Sequence, residues 1–298
     1  MRRFIRSLLF PMALLVALGS TLALRNAGYS YFIAVFGTSL AIALPVMLLQ
    51  RWYPYEESWR GKPAEFLLDA LHAVLSNAVP TAFVRALVFG AVVAVSEWSI
   101  AQFGGTVWPR WSPLWVQLPI ALLVSDFFSY WAHRFCHTNA LAWRIHALHH
   151  SAERMYVGVS VRNHPFNAIL TYGAQTLPIA LLGAGPEVLA LHGVLNATIG
   201  ILQHSNLDMR TGPINWFFSA PELHRWHHSP VLAESQSNYG ADLAVWDWVF
   251  GTRHLPADRE PRTVGIPGMK VPLNYFQHLS VPLHLEKFEV AEEQRAAV

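Results

Sequence analysis

Of the 298 residues, 53% are hydrophobic and only 13% charged, whereas a soluble domain carries about 25% charge. The net charge of +2 (histidines neutral) gives no footing for nucleic acid, and the single cysteine, Cys136, excludes an internal disulfide, a C-x-x-C redox pair and a thiolate-held cluster. The charge deficit sits in long apolar runs, which points to a bilayer, and the fifteen histidines are the compositional anomaly.

In chain order, "SLLFPMALLVALGSTLAL" (7–24) is uncharged and follows Arg2, Arg3 and Arg6. A secretory signal peptide shares that layout. A second uncharged run follows at once, from Tyr29 to Gln50, so a retained helix is expected; the second run is long enough for a hydrocarbon layer of about 30 Å. Residues 63–78, "PAEFLLDALHAVLSNA", read as an amphipathic helix on the membrane surface. A third span is expected over 80–103, with Arg85 near one end where it can snorkel. After the turn "GGTVWPRWSP" (104–113), a fourth runs from Trp111 to Trp131, uncharged until Asp126. Two further uncharged stretches, 165–186 and 188–207, flank "LLGAGPE" and read as a hairpin that spans or re-enters.

Lys and Arg are concentrated at the N-terminus and in the 51–62 loop (Arg51, Arg60, Lys62), which places both in the cytoplasm. Four spans then return the chain to the cytoplasmic side just as its histidine motifs begin. The expected fold class is an all-α integral membrane protein: about four transmembrane helices plus a membrane-embedded helical hairpin, with a cytoplasmic histidine-rich helical cap. The chain divides into N-terminal transmembrane helices with the surface helix (1–110), a catalytic region (111–256) and a C-terminal cytoplasmic tail (257–298). A multi-pass location in the inner, cytoplasmic membrane is expected.

Four histidine clusters carry the chemistry. "HRFCH" contains His133 and His137; "HALHH" contains His146, His149 and His150; "QHSN" contains His204; "HRWHH" contains His224, His227 and His228. Residues three and four apart share a helix face, so H-x-x-x-H and H-x-x-H-H each aim several imidazoles at one place. Imidazole is the commonest protein metal ligand and suits iron, zinc and copper. Nine of them exceed what one ion accepts, which favours two metals. At this histidine frequency a chance H-x-x-H-H arises with a probability of roughly a few per cent, and two are far rarer. The bland alternative is a set of surface histidines at the headgroups, and His204, standing alone, also suits a hydrogen-bonded core histidine.

H-E-x-x-H is absent, haem needs isolated axial histidines, and a transporter spreads its ligands through the spans. Iron activates dioxygen, and a site sunk against the bilayer presents that oxidant to a lipid chain. The expectation is an oxygenase attacking an unactivated C–H bond. The rivals are a di-zinc membrane hydrolase acting on a lipid and a non-catalytic metal-binding or transport protein. Imidazoles must be unprotonated to bind, so metal loss is expected below about pH 6.

A bound imidazole donates its other N–H to a carboxylate or carbonyl. Asp126, two turns before His133, is one candidate for that role, with Asp208, Glu222, Asn238, Asp242 and Asp247 beside it. His164, ahead of Pro165, is expected to order a loop or sit beside the site. His72, His192, His254, His278 and His284 read as structural or solvated, and Cys136 as inert.

From Asp126 to Pro256 the chain resembles the fatty acid hydroxylase/sterol desaturase superfamily of integral-membrane di-iron enzymes. The resemblance rests on "DFFSYWAHRFCH", "WRIHALHHS", "VRNHP", "QHSNLD", "PELHRWHHS" and "SNYGADLAVWDWVFGT". It implies two iron ions, O2 as co-substrate, and hydroxylation or desaturation of a lipid of the sterol or fatty acyl class, with hydroxylation favoured on the breadth of the family. The family's H-x-x-x-H falls on His133 and His137, its two H-x-x-H-H motifs on His146, His149, His150 and His224, His227, His228, and its intermediate ligand region on His204. The chain has no flavin-binding glycine motif, iron–sulfur cysteines or recognisable haem domain. An external electron donor of reductase, ferredoxin or cytochrome type is therefore implied.

Overall fold

The computed structural model describes residues 1–103 and 105–288; Gly104 of the expected turn and residues 289–298 of the expected tail lie outside the described residues. A short α1 (Arg2–Ser7) leads into α2 (Leu9–Asn26) and α3 (Tyr31–Trp52). Ser30 caps α3, its hydroxyl accepting from the Ile33 N–H at 3.2 Å and so satisfying a donor that the helix start leaves free. Next come α4 (Pro63–Leu71), α5 (Val79–Phe103), α6 (Leu114–Thr138), α7 (Ala140–His150) and the hairpin of α8 (Pro165–Leu181) and α9 (Pro186–Gln203). Five short helices follow: α10 (Pro221–His227), α11 (Leu232–Ser235), α12 (Val245–Val249), α13 (Tyr275–Ser280) and α14 (Leu285–Phe288). Among the described residues, four helical stretches are long and apolar enough to cross a membrane: Leu9–Asn26, Tyr31–Trp52, Pro63–Leu87 and Leu114–Thr138. Large apolar side chains such as Leu15, Phe32, Phe36 and Phe83 stand exposed along them, as expected where lipid rather than protein takes them out of water. The protein is an all-α integral membrane protein.

The expected surface helix is not separate from the third span. A π-helical turn, His72–Ala78, joins α4 to α5, so one helix runs on from Pro63. The polar face of α4 looks amphipathic because it holds an ion network. The Glu65 carboxylate, itself buried, accepts from Arg154 at 2.5 Å and from Arg162 at 3.1 Å. Asp69 accepts from Arg162 Nε at 2.6 Å and from the Tyr156 hydroxyl at 2.7 Å. Gly158 crosses so close to this cluster that a Cβ there would lie 2.1 Å from Asp69 Oδ2. The loop after α7 is thus tied to the entry of the third span.

The α8–α9 hairpin fills the middle of the bundle. α8 packs on α5 and α6, and α9 packs against α2, α3 and α6. Val194, Leu195, Ile199 and Leu202 of α9 meet Phe10 and Ala17 of α2 and Ile42 and Val46 of α3 in the main apolar core. The described part of the C-terminal segment packs back on the helices. Met269, Val281 and Leu285 bury against Ala147 and Leu148 of α7, and His278 Nδ1 lies 2.9 Å from His72 Nε2 in the π turn. That strap holds the outer face of α7, whose inner face carries three histidines.

Candidate metal centre

One residue sets the first approach. α6 stops at Thr138, and Asn139 is extended (φ −114°, ψ 125°), its side-chain oxygen accepting from the N–H groups of Leu141 and Ala142 at 3.0 and 3.1 Å. Asn139 therefore ends α6 and caps α7 at once, and the chain doubles back. His133 and His137, one turn apart on α6, then face His146 and His150, one turn apart on α7. Pro221 at the first position of α10 and His204 just past the end of α9 bring in the remaining rings.

The nine histidines gather into two groups: His133, His137, His146, His150 and His227 in one, and His149, His204, His224 and His228 in the other. Within each, one ring nitrogen per residue lies within 4.8 Å of all the others. The two H-x-x-H-H motifs are used reciprocally. "HALHH" gives its i, i+4 pair, His146 and His150, to the first group and His149 to the second; "HRWHH" gives His224 and His228 to the second and His227 to the first. Successive helical residues point about 100° apart, so an H-H doublet divides its rings between two neighbouring centres. The groups adjoin, the rings of His150 and His228 stacking with centroids 4.3 Å apart. Every one of these histidines except the half-buried His133 is buried.

The ring tautomers are set from outside. His133 Nδ1 donates to the Tyr239 carbonyl (2.8 Å), His227 Nδ1 to the Ser237 carbonyl (2.7 Å) and His204 Nδ1 to the Gly200 carbonyl (2.8 Å). His146 Nδ1 donates to Asn167 Oδ1 (3.0 Å), whose amide is oriented by donating to Asn163. In these four rings Nε2 is left with a lone pair pointing inward. Yet His133 Nε2 stands 3.1 Å from His146 Nε2, and His204 Nε2 stands 3.2 Å from His149 Nε2 and 3.0 Å from His224 Nε2. In His133 and His146, where both tautomers are so fixed, facing lone pairs repel unless a cation lies between them. Two nitrogens each about 2.1 Å from one ion and about 90° apart lie about 3.0 Å from each other, which is the spacing found here. His227 Nε2 and both ring nitrogens of His137 are buried with no hydrogen-bond partner. The donor set fits two metal ions. Burial also keeps His146, His149, His150, His224, His227 and His228 neutral, pushing each well below the ordinary imidazole range, with the neighbouring histidines adding to the effect.

The carboxylates singled out from sequence serve other groups. Asp126 accepts from the Asp242 N–H at 2.7 Å, and Asp242 accepts from Asn196 at 3.0 Å with His192 3.7 Å away; this buried node docks the 240–243 loop and reaches neither histidine group. Glu222 accepts from Thr211 and Asn215, and Asp208 pairs with Arg6 and Arg210 near the surface. His164 caps α8, accepting from the Phe166 N–H at 3.3 Å, and is absent from both groups. Asn167 was not singled out, although it sits on His146.

Asn238 works through its backbone. It is the only described non-glycine residue with a left-handed φ, 53°, and the carbonyls on either side of it, Ser237 and Tyr239, are those that orient His227 and His133. Its amide donates to the Leu223 and His254 carbonyls and accepts from the His254 N–H, while Asp247 accepts from the Tyr239 and Gly240 N–H groups. Asn238→Ala removes those bonds and strains the turn, whereas Asn238→Gly keeps the φ. The expected result is a 10- to 100-fold (about the range for an orienting group) loss of metal affinity in Asn238→Ala and a smaller one in Asn238→Gly, read by competition with a chromogenic chelator. Wild-type affinity in Asn238→Ala would contradict the positioning role.

Comparison with known proteins bears on the same region. The model of the fatty acid hydroxylase family matches residues 118–252. The chain is 36% identical over 281 residues to ornithine lipid hydroxylase OlsE of Rhizobium tropici, covering 93% of this chain and 84% of that protein. It is 28% identical over 233 residues to alkylglycerol monooxygenase of Homo sapiens, covering 76% of this chain but only 49% of that protein. With the very-long-chain aldehyde decarbonylase GL1-11 of Oryza sativa subsp. indica it shares 29% identity over 146 residues, 48% of this chain and 54% of that protein. The chain thus spans about half the length of these last two relatives. No solved structure matches it.

Proposed function

The chain belongs to the fatty acid hydroxylase family, and from that premise we propose that it is a di-iron, dioxygen-dependent hydroxylase of a membrane lipid. Membership and its relatives support an oxygen-dependent oxidoreductase that acts on lipid. The two irons, their ligands and the substrate are the added reading, and the observation that carries it is the pair of buried histidine groups, each with its ring nitrogens converging on one place. His133, His137, His146, His150 and His227 would hold one iron; His149, His204, His224 and His228 would hold the other. When bound, the irons supply the activation of dioxygen for attack on a C–H bond.

The protein's own residues supply the rest. The Gly200, Ser237 and Tyr239 carbonyls and Asn167 keep the four imidazoles they face in the metal-binding tautomer, and burial keeps the α7 and α10 histidines unprotonated. The apolar helices deliver a lipid chain to the metal side of the cap and exclude water from it. Two electrons come from an external donor. Likeness to OlsE makes ornithine lipid the first substrate to test, and hydroxylation the first outcome.

The test uses the full chain purified anaerobically in mild detergent, with metals counted and oxygen uptake followed with ornithine lipid and a chemical reductant. The expected result is about two irons per chain and lipid-dependent oxygen consumption yielding a product heavier by one oxygen. Stoichiometric zinc with lipid cleavage that survives without oxygen would replace this reading with the hydrolase.

A further inference from the structure

A cavity of about 520 Å³ opens between α3 and α4, outside the histidine cap. Its walls are Phe36, Leu40 and Met47 on α3 and Phe66 and Ala70 on α4, and Ile201 of α9 lies at its floor. From Phe36 to Arg51 the groove follows α3 for about 22 Å at 1.5 Å per residue. Both walls belong to membrane-crossing stretches, so the groove descends from the membrane surface into the hydrocarbon layer. Its Arg51 end lies beside the metal region, for Ile201 is one turn before His204 and Gln50, next to Arg51, meets Asn206. Gln50 fixes that wall, its side-chain oxygen accepting from the Val157 and Asn206 N–H groups at 3.2 and 3.1 Å.

The mouth is cationic. Arg51, Arg60 and Lys62 all line it and are exposed. Arg60 is neutralised by Glu57, its Nε 2.5 Å from the carboxylate, whereas the side chains of Arg51 and Lys62 have no acidic partner among the described residues. Cations at the cytoplasmic end of a helix are ordinary. Two uncompensated ones at the rim of an apolar groove of lipid length combine an attraction for an anionic oxygen group with a slot for the chain attached to it.

We propose that this groove holds one long-chain lipid, its acyl chain between α3 and α4 and its anionic headgroup against Arg51 and Lys62. The inference deepens the proposed function by giving the substrate a place and a headgroup charge, but occupancy itself is independent of any reaction. With each cation near an anionic headgroup contributing as at a membrane surface, the pair should favour the anionic lipid about thirtyfold.

The experiment presents the full chain in detergent with an equimolar mixture of dipalmitoyl phosphatidylglycerol and dipalmitoylglycerol, which share their chains and differ in the phosphodiester. Bound lipid is read by native mass spectrometry. Wild type is expected to keep one phosphatidylglycerol. Ala70→Trp, at an exposed position, fills the groove and is expected to release it, and Ala43→Trp on the facing wall is expected to do the same. Arg51→Gln with Lys62→Gln should keep a lipid while losing the preference. Retention of the same lipid by both tryptophan variants, or a preference that the double substitution leaves unchanged, overturns the assignment. If the lipid binds as described but is never oxidised, the reaction proposed above fails and the groove stands. If turnover persists in Ala70→Trp at the wild-type rate, the groove fails and the reaction stands.

Discussion

His149→Ala and His227→Ala are each expected to cut lipid oxidation by more than about a hundredfold, since loss of a group that merely orients a ligand already costs 10- to 100-fold. They should differ in the metal they keep. His149 belongs to the four-histidine group and its loss leaves three ligands, whereas His227 belongs to the five-histidine group and its loss leaves four. After the same mild chelator wash, His149→Ala should fall toward one iron per chain while His227→Ala keeps more. His164→Ala, at a buried histidine outside both groups, should keep the wild-type metal content. Metal analysis beside single-turnover oxidation reads both effects. Equal metal loss in the two variants would contradict the division of ligands between the centres, and full metal with full turnover in either would remove that residue from the site.

The division of ligands shows what sequence could and could not carry. Helical spacing makes H-x-x-H-H a metal motif, because residues three and four apart must share a face. It does not say that "HALHH" and "HRWHH" exchange their middle histidines, since that depends on how α7 and α10 meet across positions far apart in the chain. Three of the spans were legible for a similar reason, an uncharged run of bilayer length having few alternatives, but the third runs over Pro63–Leu87 rather than 80–103. Polarity misled at α4, where Glu65 and Asp69 looked like a water-facing edge but hold Arg154 and Arg162. After residue 256 polarity hides a few well-spaced apolar residues, Met269, Val281 and Leu285, that bury against α7. Asp126 stands two turns before His133, but its partner is a backbone N–H at position 242, which no local pattern announces. The groups that orient His133, His204 and His227 are backbone carbonyls, and a carbonyl leaves no letter in the sequence.

Acid is expected to unfold the metal-free chain steeply, beginning near pH 6.5. Six histidines of α7 and α10 are held below their ordinary value of 6.5, first by burial and then by one another. As pH falls through 6.5 the unfolded chain takes up these protons and the folded chain does not. The stability they confer is therefore complete above 6.5 and is lost on the way down, each group contributing up to about a tenfold change in the folding equilibrium per pH unit. Two carboxyls oppose the trend: burial raises Asp242 to about 7 and raises Asp247 as well, so the fold binds their protons first and gains from it. His164, His204, His254 and His278 are lowered as well, so the histidines outweigh the two carboxyls and falling pH favours unfolding. The same burial changes the expectation for metal release. Within the intact fold protons compete poorly for these rings, so metal should not begin to leave near pH 6 by simple titration but should leave together with the structure. Thermal unfolding and bound metal followed in parallel from pH 8 to 5, with and without chelator, would show two coincident falls in the loaded protein. Metal leaving a still-folded chain at pH 6 would mean that water reaches the histidines more freely than their burial allows.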